Sequence, residues 1–383
     1  MNRVESNVAE TTVPIANGER ITNLDSVRGF ATLGILVMNA VSFGLPEAAY
    51  FNLAAAGSVS ALDWLIGILG EIFVDQKTMA LFSLLFGAGI VVFADRAAAK
   101  GRRAVRLSLW RNLLLLGIGL LHSLLWDGDI LVVYALCSPV LLAVRRCGAR
   151  GLMITGAALV VSSAAWAVLA QAQIPAGGDG LGSYWFVDGG PIGDTAGLFL
   201  IGDFFLRSLG MMLIGVALYR LGIVQGARSP AYYRRMMCLG FGVGFPLAAA
   251  GVVCQVALDF SPDIALLGAA PNTLATIPIA MGYLGLIALW NQQPTTVLHE
   301  RVRAVGRMAL TNYLTQTLLG IVVLSTVLDS GEATRSGIGV FILSVWLAQL
   351  LWSKAWLARF RLGPFEWAWR CATYGRFQMI RRS

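Results

Sequence analysis

The sequence predicts an all-α fold, a polytopic transmembrane helix bundle of about ten spans with both termini in the cytoplasm. Three observations carry that prediction. Apolar residues make up 57% of the 383 and charged residues only 13%, and the mean hydropathy is +0.71; a soluble domain is about a quarter charged. The apolar residues gather into runs long enough to cross the hydrocarbon core of a bilayer, which takes about 20 residues as a helix. The connections between the runs alternate between basic and acidic. Helices satisfy every backbone group within lipid, and the short alternating strands of a membrane barrel are missing.

Taken in order, the predicted spans are 26–45, 78–94, 107–125, 129–145, 151–171, 199–221, 237–258, 269–290, 307–328 and 337–357. Before them, residues 1–20 are polar and carry Glu5, Glu10 and Glu19 without an apolar signal-peptide core. They read as a disordered cytoplasmic tail. Residues 21–375 read as one transmembrane domain, with an N-terminal part over 24–171 and a C-terminal part over 199–375, and 376–383 as a basic tail. Loop 95–106 holds Arg96, Lys100, Arg102, Arg103 and Arg106, and loops 145–150, 220–235 and 291–306 are also rich in arginine. The intervening loops carry Glu47, then Asp127 and Asp129, then Asp179, Asp188 and Asp194, then Asp259 and Asp263. Positive loops stay in the cytoplasm, which places both termini there. The net charge of +8 therefore reflects topology and not nucleic-acid binding.

Residues 61–77 fit this scheme only if they do not cross. Asp63, Glu71 and Asp75 fall on one helical face with Gly67, which predicts an amphipathic helix lying at the outer interface or re-entering it. Residues 172–198, rich in glycine and aromatics, form an external lid, plug or flexible connector. The 5 cysteines form no C-x-x-C pair, and the sequence holds no P-loop, zinc-ligand pattern or nucleophile elbow, so no metal is expected. Gly87, Gly89, Gly117 and Gly119 read as helix-packing positions.

The stretch Arg111–Ala135 offers acid–base chemistry. His122, one of 2 histidines, ends a span, and Asp127 and Asp129 follow in the turn. An ionisable side chain within a span is a functional candidate; a carboxylate would orient the imidazole to accept a proton from a hydroxyl or amine. The competing readings are a histidine satisfied by a neighbouring helix and carboxylates that merely cap. Arg28 and Asn39 are eleven residues apart, as are Arg111 and His122, so each pair shares a helical face about 16 Å apart along the axis. Arg28, Arg102, Arg103, Arg106 and Arg111 suit phosphate, either of acyl-CoA or of lipid head groups, or they simply anchor the helices. The remaining histidine, His299, lies in a basic loop and is assigned no chemistry.

Five blocks, LDSVRGFATLGILVMN (24–39), LFSLLFGAG (81–89), LLHSLLWDGDILVVYAL (120–136), VGRMALTNYLTQT (305–317) and GPFEWAWR (363–370), occur in the order and spacing of the YeiB-like bacterial membrane proteins, which this chain resembles from about residue 20 to 375. That family is similar, distantly, to the integral-membrane acyltransferases. The resemblance implies a bundle of about ten helices that passes an acyl group from cytoplasmic acyl-CoA to a hydroxyl or amine of a lipid, glycan or small molecule beyond the bacterial cytoplasmic membrane. The O-acetylating relatives carry a basic residue and, eleven positions on, a catalytic histidine. Here those positions hold Arg28 and Asn39, and an amide cannot serve as a general base near neutral pH. Either His122 has taken over that role, with Asn39 donating to an oxyanion, or the chemistry is gone. In the C-terminal blocks Arg307, Asn312 and Gln316 share a helix, and Glu366 follows among tryptophans; these four are polar cavity candidates or helix glue. A transporter or export factor using His122 as a proton relay, and a non-enzymatic membrane scaffold, are the alternatives.

Overall fold

A computed structural model describes residues 22–101, 103–327 and 333–382. The expectation of a tail over 1–20 and the phosphate role of Arg102 lie outside the described residues. Helices dominate: α1 (Thr22–Gly44), α2 (Ala48–Phe51), α3 (Ala61–Phe73), α4 (Lys77–Ala99), α5 (Ala104–Ser123), α6 (Leu131–Val144), α7 (Ala149–Gln171), α8 (Asp194–Arg220), α9 (Pro230–Ala257), α10 (Ala270–Asn291), α11 (Val297–Arg307), α12 (Ala309–Gly320), α13 (Arg335–Arg359) and α14 (Pro364–Tyr374). Among the described residues the only sheet-like pairing is one bridge between Phe360 and Arg381.

Local chemistry sets many of these ends. Ser60 and Asp63 form a capping box that starts α3, Ser229 caps α9 ahead of Pro230, and Thr334 caps α13. Gly375, left-handed at φ +61°, closes α14.

Among the described residues, eight helical segments are long and apolar enough to cross a membrane, and a ninth arises if α11 and α12 form one bent span. Each of the ten expected segments is mostly helical over its described residues, but three differ from expectation. The fourth predicted span, 129–145, is the 14-residue α6 with Pro139 inside it, shorter than the usual 17–25 residues. The ninth, 307–328, is preceded by a helix where a loop was expected: α11 occupies most of 291–306 and meets α12 at 82° across Met308. The second, 78–94, lies within the 23-residue α4, and α3 precedes it in the same apolar segment, Ala61–Ala99, the two helices being separated by a turn in which Gln76 is left-handed at φ +62°.

Residues 61–77, expected as an amphipathic helix at the outer interface or re-entering it, form α3 and the turn before α4, with the faces of α3 turned the opposite way from a helix whose polar side meets water. The polar face points inward and the apolar face outward: Leu62, Leu65 and Leu69 are 55%, 52% and 44% exposed while Asp63 is 2% exposed. Asp63 accepts from the Ser336 N–H at 2.7 Å and ties α3 to the start of α13. A helix facing lipid has its hydrophobic stripe on the outside, so the face that looks solvent-bound in the sequence is the buried one.

Close backbone approach organises the bundle. A Cβ on Gly87 would lie 2.4 Å from Met212 O, one on Gly215 2.0 Å from Leu84 O, and one on Gly306 2.0 Å from Asp25 O. These contacts seat α4 on α8 and α11 on α1, in the way small residues join helices in lipid. The loop expected over 172–198 ends at Gly193, where α8 begins, and it packs onto the bundle: Leu181, Tyr184 and Trp185 are buried, and Tyr184 stacks on Phe51 at 4.3 Å.

Candidate functional site

The turn from α5 to α6 brings His122 and Asp129 together. Asp129 precedes the first turn of α6, where its Oδ2 accepts the Val132 N–H at 3.1 Å, a free donor at a helix start. Its Oδ1 meets His122 Nδ1 at 2.8 Å and accepts the Tyr313 hydroxyl at 3.1 Å from α12. Gly119, one turn before His122, permits this approach: a Cβ there would lie 2.9 Å from Val132 N and 3.0 Å from Asp129 Oδ2. The His122 ring lies 5.2 Å from the Tyr313 ring and edge-on to Trp126. Only 4% of His122 is exposed, and its Nε2 is buried with no hydrogen-bond partner. A carboxylate acceptor at Nδ1 fixes the Nδ1–H tautomer and leaves the lone pair on Nε2.

Beside this triad lies a cavity of about 230 Å³. Its polar end holds Arg28, Arg111, Arg307 and Glu366, its walls include Phe82, Phe86 and Leu115, and Tyr313 stands at the other end. His122 does not line this cavity; Tyr313 is between them. Arg111 is held between Phe93 at 4.5 Å and Trp369 at 4.2 Å, guanidinium over ring. Arg28 pairs loosely with Asp25 at 3.4 Å. Glu366 crosses from α14 to cap α12, accepting from Leu310 N at 2.7 Å and Thr311 N at 3.1 Å. The break at Met308 is what exposes those N–H groups. Burial raises the Glu366 carboxyl above its ordinary value, while the Thr311 bonds pull it back down.

The structure divides the expected site residues. His122 and Asp129 pair, and Arg28, Arg111, Arg307 and Glu366 share one cavity. Asp127 is exposed, so the carboxylate beside the imidazole is that of Asp129. Asn39 is half-buried on α1 and does not line the cavity. Asn312 is packed and satisfied: it donates to Val305 O and Ser353 Oγ and accepts from Trp352 Nε1. Gln316 donates to Thr32 O and Gln349 Oε1. Both therefore bind helices together and leave the cavity to other residues. Arg103 and Arg106 line a separate lateral groove that shares only Asn112 with the cavity. His299 stacks on Trp290 at 3.7 Å and gives Nε2 to its carbonyl.

A second polar centre escaped sequence reasoning. Asp203 and Arg207, one turn apart in α8, form a two-point ion pair that Ser163 joins, and Arg207 Nη1 is buried without a partner. Nearby, Lys77 binds Asn272 and the Glu71 carbonyl, and Asn272 donates to Asp75 at 3.1 Å. A cavity of about 50 Å³ lies among Tyr50, Glu71, Asp75, Asp203 and Arg207, with Tyr184 also lining it. Burial, with Asp75 beside it, pushes the Tyr50 phenol well above its ordinary value, so it stays a donor. The signal was present: two opposite charges four apart inside an apolar run of α8 are costly unless paired.

Residues 218–376 match the model of a family described as a protein of unknown function, DUF418. The chain is 34% identical to the uncharacterised protein YeiB of Escherichia coli K12, over 93% of this chain and 96% of that one. It is 30% identical to the uncharacterised protein YxaH of Bacillus subtilis 168, over 96% and 97%. A 39.9 kDa protein from the amylase 3′ region of Bacillus acidopullulyticus matches at 27% over 95% of this chain. No solved structure matches.

Proposed function

Because the chain belongs to the YeiB-like family of helical membrane proteins, all similar over nearly their full length, we propose that it is an acyltransferase-like enzyme of the bacterial cytoplasmic membrane, with both termini in the cytoplasm. One observation carries the reading: a buried imidazole oriented by Asp129 at Nδ1, with Nε2 unengaged. That is the arrangement of a general base, and a carboxylate partner stabilises the imidazolium that forms. Arg28 and Arg111 supply charge for the phosphates of an acyl-CoA at the cavity's polar end. The acceptor is a hydroxyl or amine of a lipid, glycan or small molecule. It attacks the thioester carbonyl, the C–S bond breaks as the new C–O or C–N bond forms, and the acceptor's proton passes through His122 Nε2 to the leaving thiolate. Tyr313 swings aside to join cavity and imidazole, exchanging its bond to Asp129 for one to the substrate. Purified protein given labelled acetyl-CoA should release CoA slowly to water, and His122→Asn should abolish the release. Equal release by both proteins, or none by the wild type with any acceptor tested, would remove the proposal.

The charged centre of α4, α8 and α10 favours a second reading, a transporter or export factor driven by protons. Charges buried within spans mark ion and substrate paths, and Tyr184 of the loop before α8 lines the cavity beside them. Proteoliposomes that dissipate an imposed pH gradient, and lose that capacity in Asp203→Asn, would support it; no dependence on Asp203 would dismiss it.

A further inference from the structure

A lateral groove of about 960 Å³ runs between α5, α6 and the end of α14. Its chemistry changes along its length. Arg103, Arg106 and Arg376 line one end, and Leu113, Leu116 and Leu136 continue it as an apolar channel. No acidic residue lines it among the described residues. Leu113 and Leu136 are 56% and 52% exposed, so the channel opens sideways and not into the bundle. From Arg103 to Leu116 the helix rises about 20 Å, against about 15 Å for the hydrocarbon of one leaflet, half of a ~30 Å core. The groove thus covers one leaflet with its head-group layer.

Two further features interrupt the apolar wall. The Ser138 hydroxyl is fully buried and has no partner. Pro139, inside α6, has no N–H, which deprives the Ala135 carbonyl of its helical donor. Both residues line the groove, as does Asn112, which lies about 9 Å past Arg106 along α5. In a glycerophospholipid the ester groups sit one step deeper than the phosphate. A row of guanidinium groups, then a small polar patch, then leucines, repeats that sequence of chemistry. Trp110 donates to the Ala372 carbonyl at 3.3 Å and holds α14, with the Arg376 segment beyond it, against α5.

We propose that this groove is a binding site for an anionic glycerophospholipid, with its phosphate against Arg103, Arg106 and Arg376, its esters beside Asn112 and Ser138, and one acyl chain along the α5–α6 seam. Arginine forks suit phosphate oxygens, and three basic residues at the head-group level select for net negative lipids. The site shares only Asn112 with the cavity next to His122, and it requires no reaction there.

The test is native mass spectrometry of the purified full chain in detergent, titrated with phosphatidylglycerol and with phosphatidylcholine of the same chains. Phosphatidylglycerol should bind at least tenfold more tightly. Combined Arg103→Ala, Arg106→Ala and Arg376→Ala should erase that preference, at about fivefold per arginine, and leave phosphatidylcholine unchanged. Should the triple variant fail to fold, Leu136→Trp keeps the arginines, fills the channel, and should weaken phosphatidylglycerol binding by itself. Equal binding of the two lipids by the wild type overturns the proposal, as does a preference that survives both variants. Inorganic pyrophosphate is the second probe: arginine-dependent binding of pyrophosphate without lipid selectivity would assign the groove to a soluble phosphate and overturn the lipid assignment.

Discussion

Asp129→Ala removes the acceptor shared by three donors, and its cost follows from their count. The Val132 N–H loses a helix cap, worth about 1 kcal/mol. The His122 Nδ1–H and the Tyr313 hydroxyl, both in residues under 5% exposed, lose the carboxylate oxygen that accepts from them, at about 1–3 kcal/mol each for a buried unsatisfied group. The sum is about 3–7 kcal/mol. His122→Asn behaves differently, because its amide N–H can occupy the position of Nδ1–H and keep Asp129 engaged. Its cost is the packing lost against Tyr313 and Trp126, about 1–2 kcal/mol. Tyr313→Phe deletes one of the three donors and should cost about 0.5–1.5 kcal/mol. The assay is unfolding of the purified protein in detergent, by heat or denaturant, followed by loss of the monodisperse species. The expected order of damage is Asp129→Ala, then His122→Asn, then Tyr313→Phe. An Asp129→Ala protein as stable as the wild type, or less damaged than His122→Asn, would refute the triad.

Three other outcomes follow from the packing. Asp203→Ala leaves Arg207 buried without its carboxylate and should cost about 3–5 kcal/mol; adding Arg207→Met should recover much of it in the same unfolding assay. Gly306→Ala sets a Cβ 2.0 Å from Asp25 O and should cost at least 1–3 kcal/mol as overpacking, about the range for an inserted methyl, whereas Gly89→Ala meets nothing within 4 Å and should be neutral. Glu366→Ala removes the cap of α12 and should cost about 1–2 kcal/mol. Because burial raises the Glu366 carboxyl, the folded state holds that proton more tightly than the unfolded one. Its contribution is full below the ordinary carboxylate range and is lost as pH rises through the raised value. Stability measured across that window should slope downward in the wild type and flatten in Glu366→Gln.

What the sequence made legible was whatever lipid and backbone geometry dictate locally. Apolar run length located the membrane-length helices, and the short turn after His122 put Asp127 and Asp129 within reach of the imidazole without deciding between them. Three things were hidden, each because it depends on partners distant in sequence. The inverted polarity of α3 is invisible without knowing that lipid is its outer solvent. Asn312 and Gln316 looked like cavity residues because polar groups in an apolar helix suit either role, and only Ser353, Trp352 and Gln349 across the interface decide for packing. Lys77 with Asn272, 195 positions apart, could not have been paired from spacing. Asp203 and Arg207 could have been, since their separation of one turn inside a span announces a buried pair. Glu366 illustrates the intermediate case: its block was distinctive, but its task, capping a helix broken at Met308, required the 82° bend to be seen.

The most direct test of the acid–base account is ¹⁵N nuclear magnetic resonance of the histidine side chains, which number 2 in this chain. His299 accepts at Nδ1 from the Thr296 N–H and donates from Nε2 to Trp290 O, so it should show the Nε2–H tautomer. His122 should show the opposite one, with a protonated Nδ1 and a bare Nε2, and its signals should vanish in His122→Asn. An Nε2–H tautomer at His122, or a ring exchanging freely between the two, would mean that Asp129 does not orient this imidazole as a base.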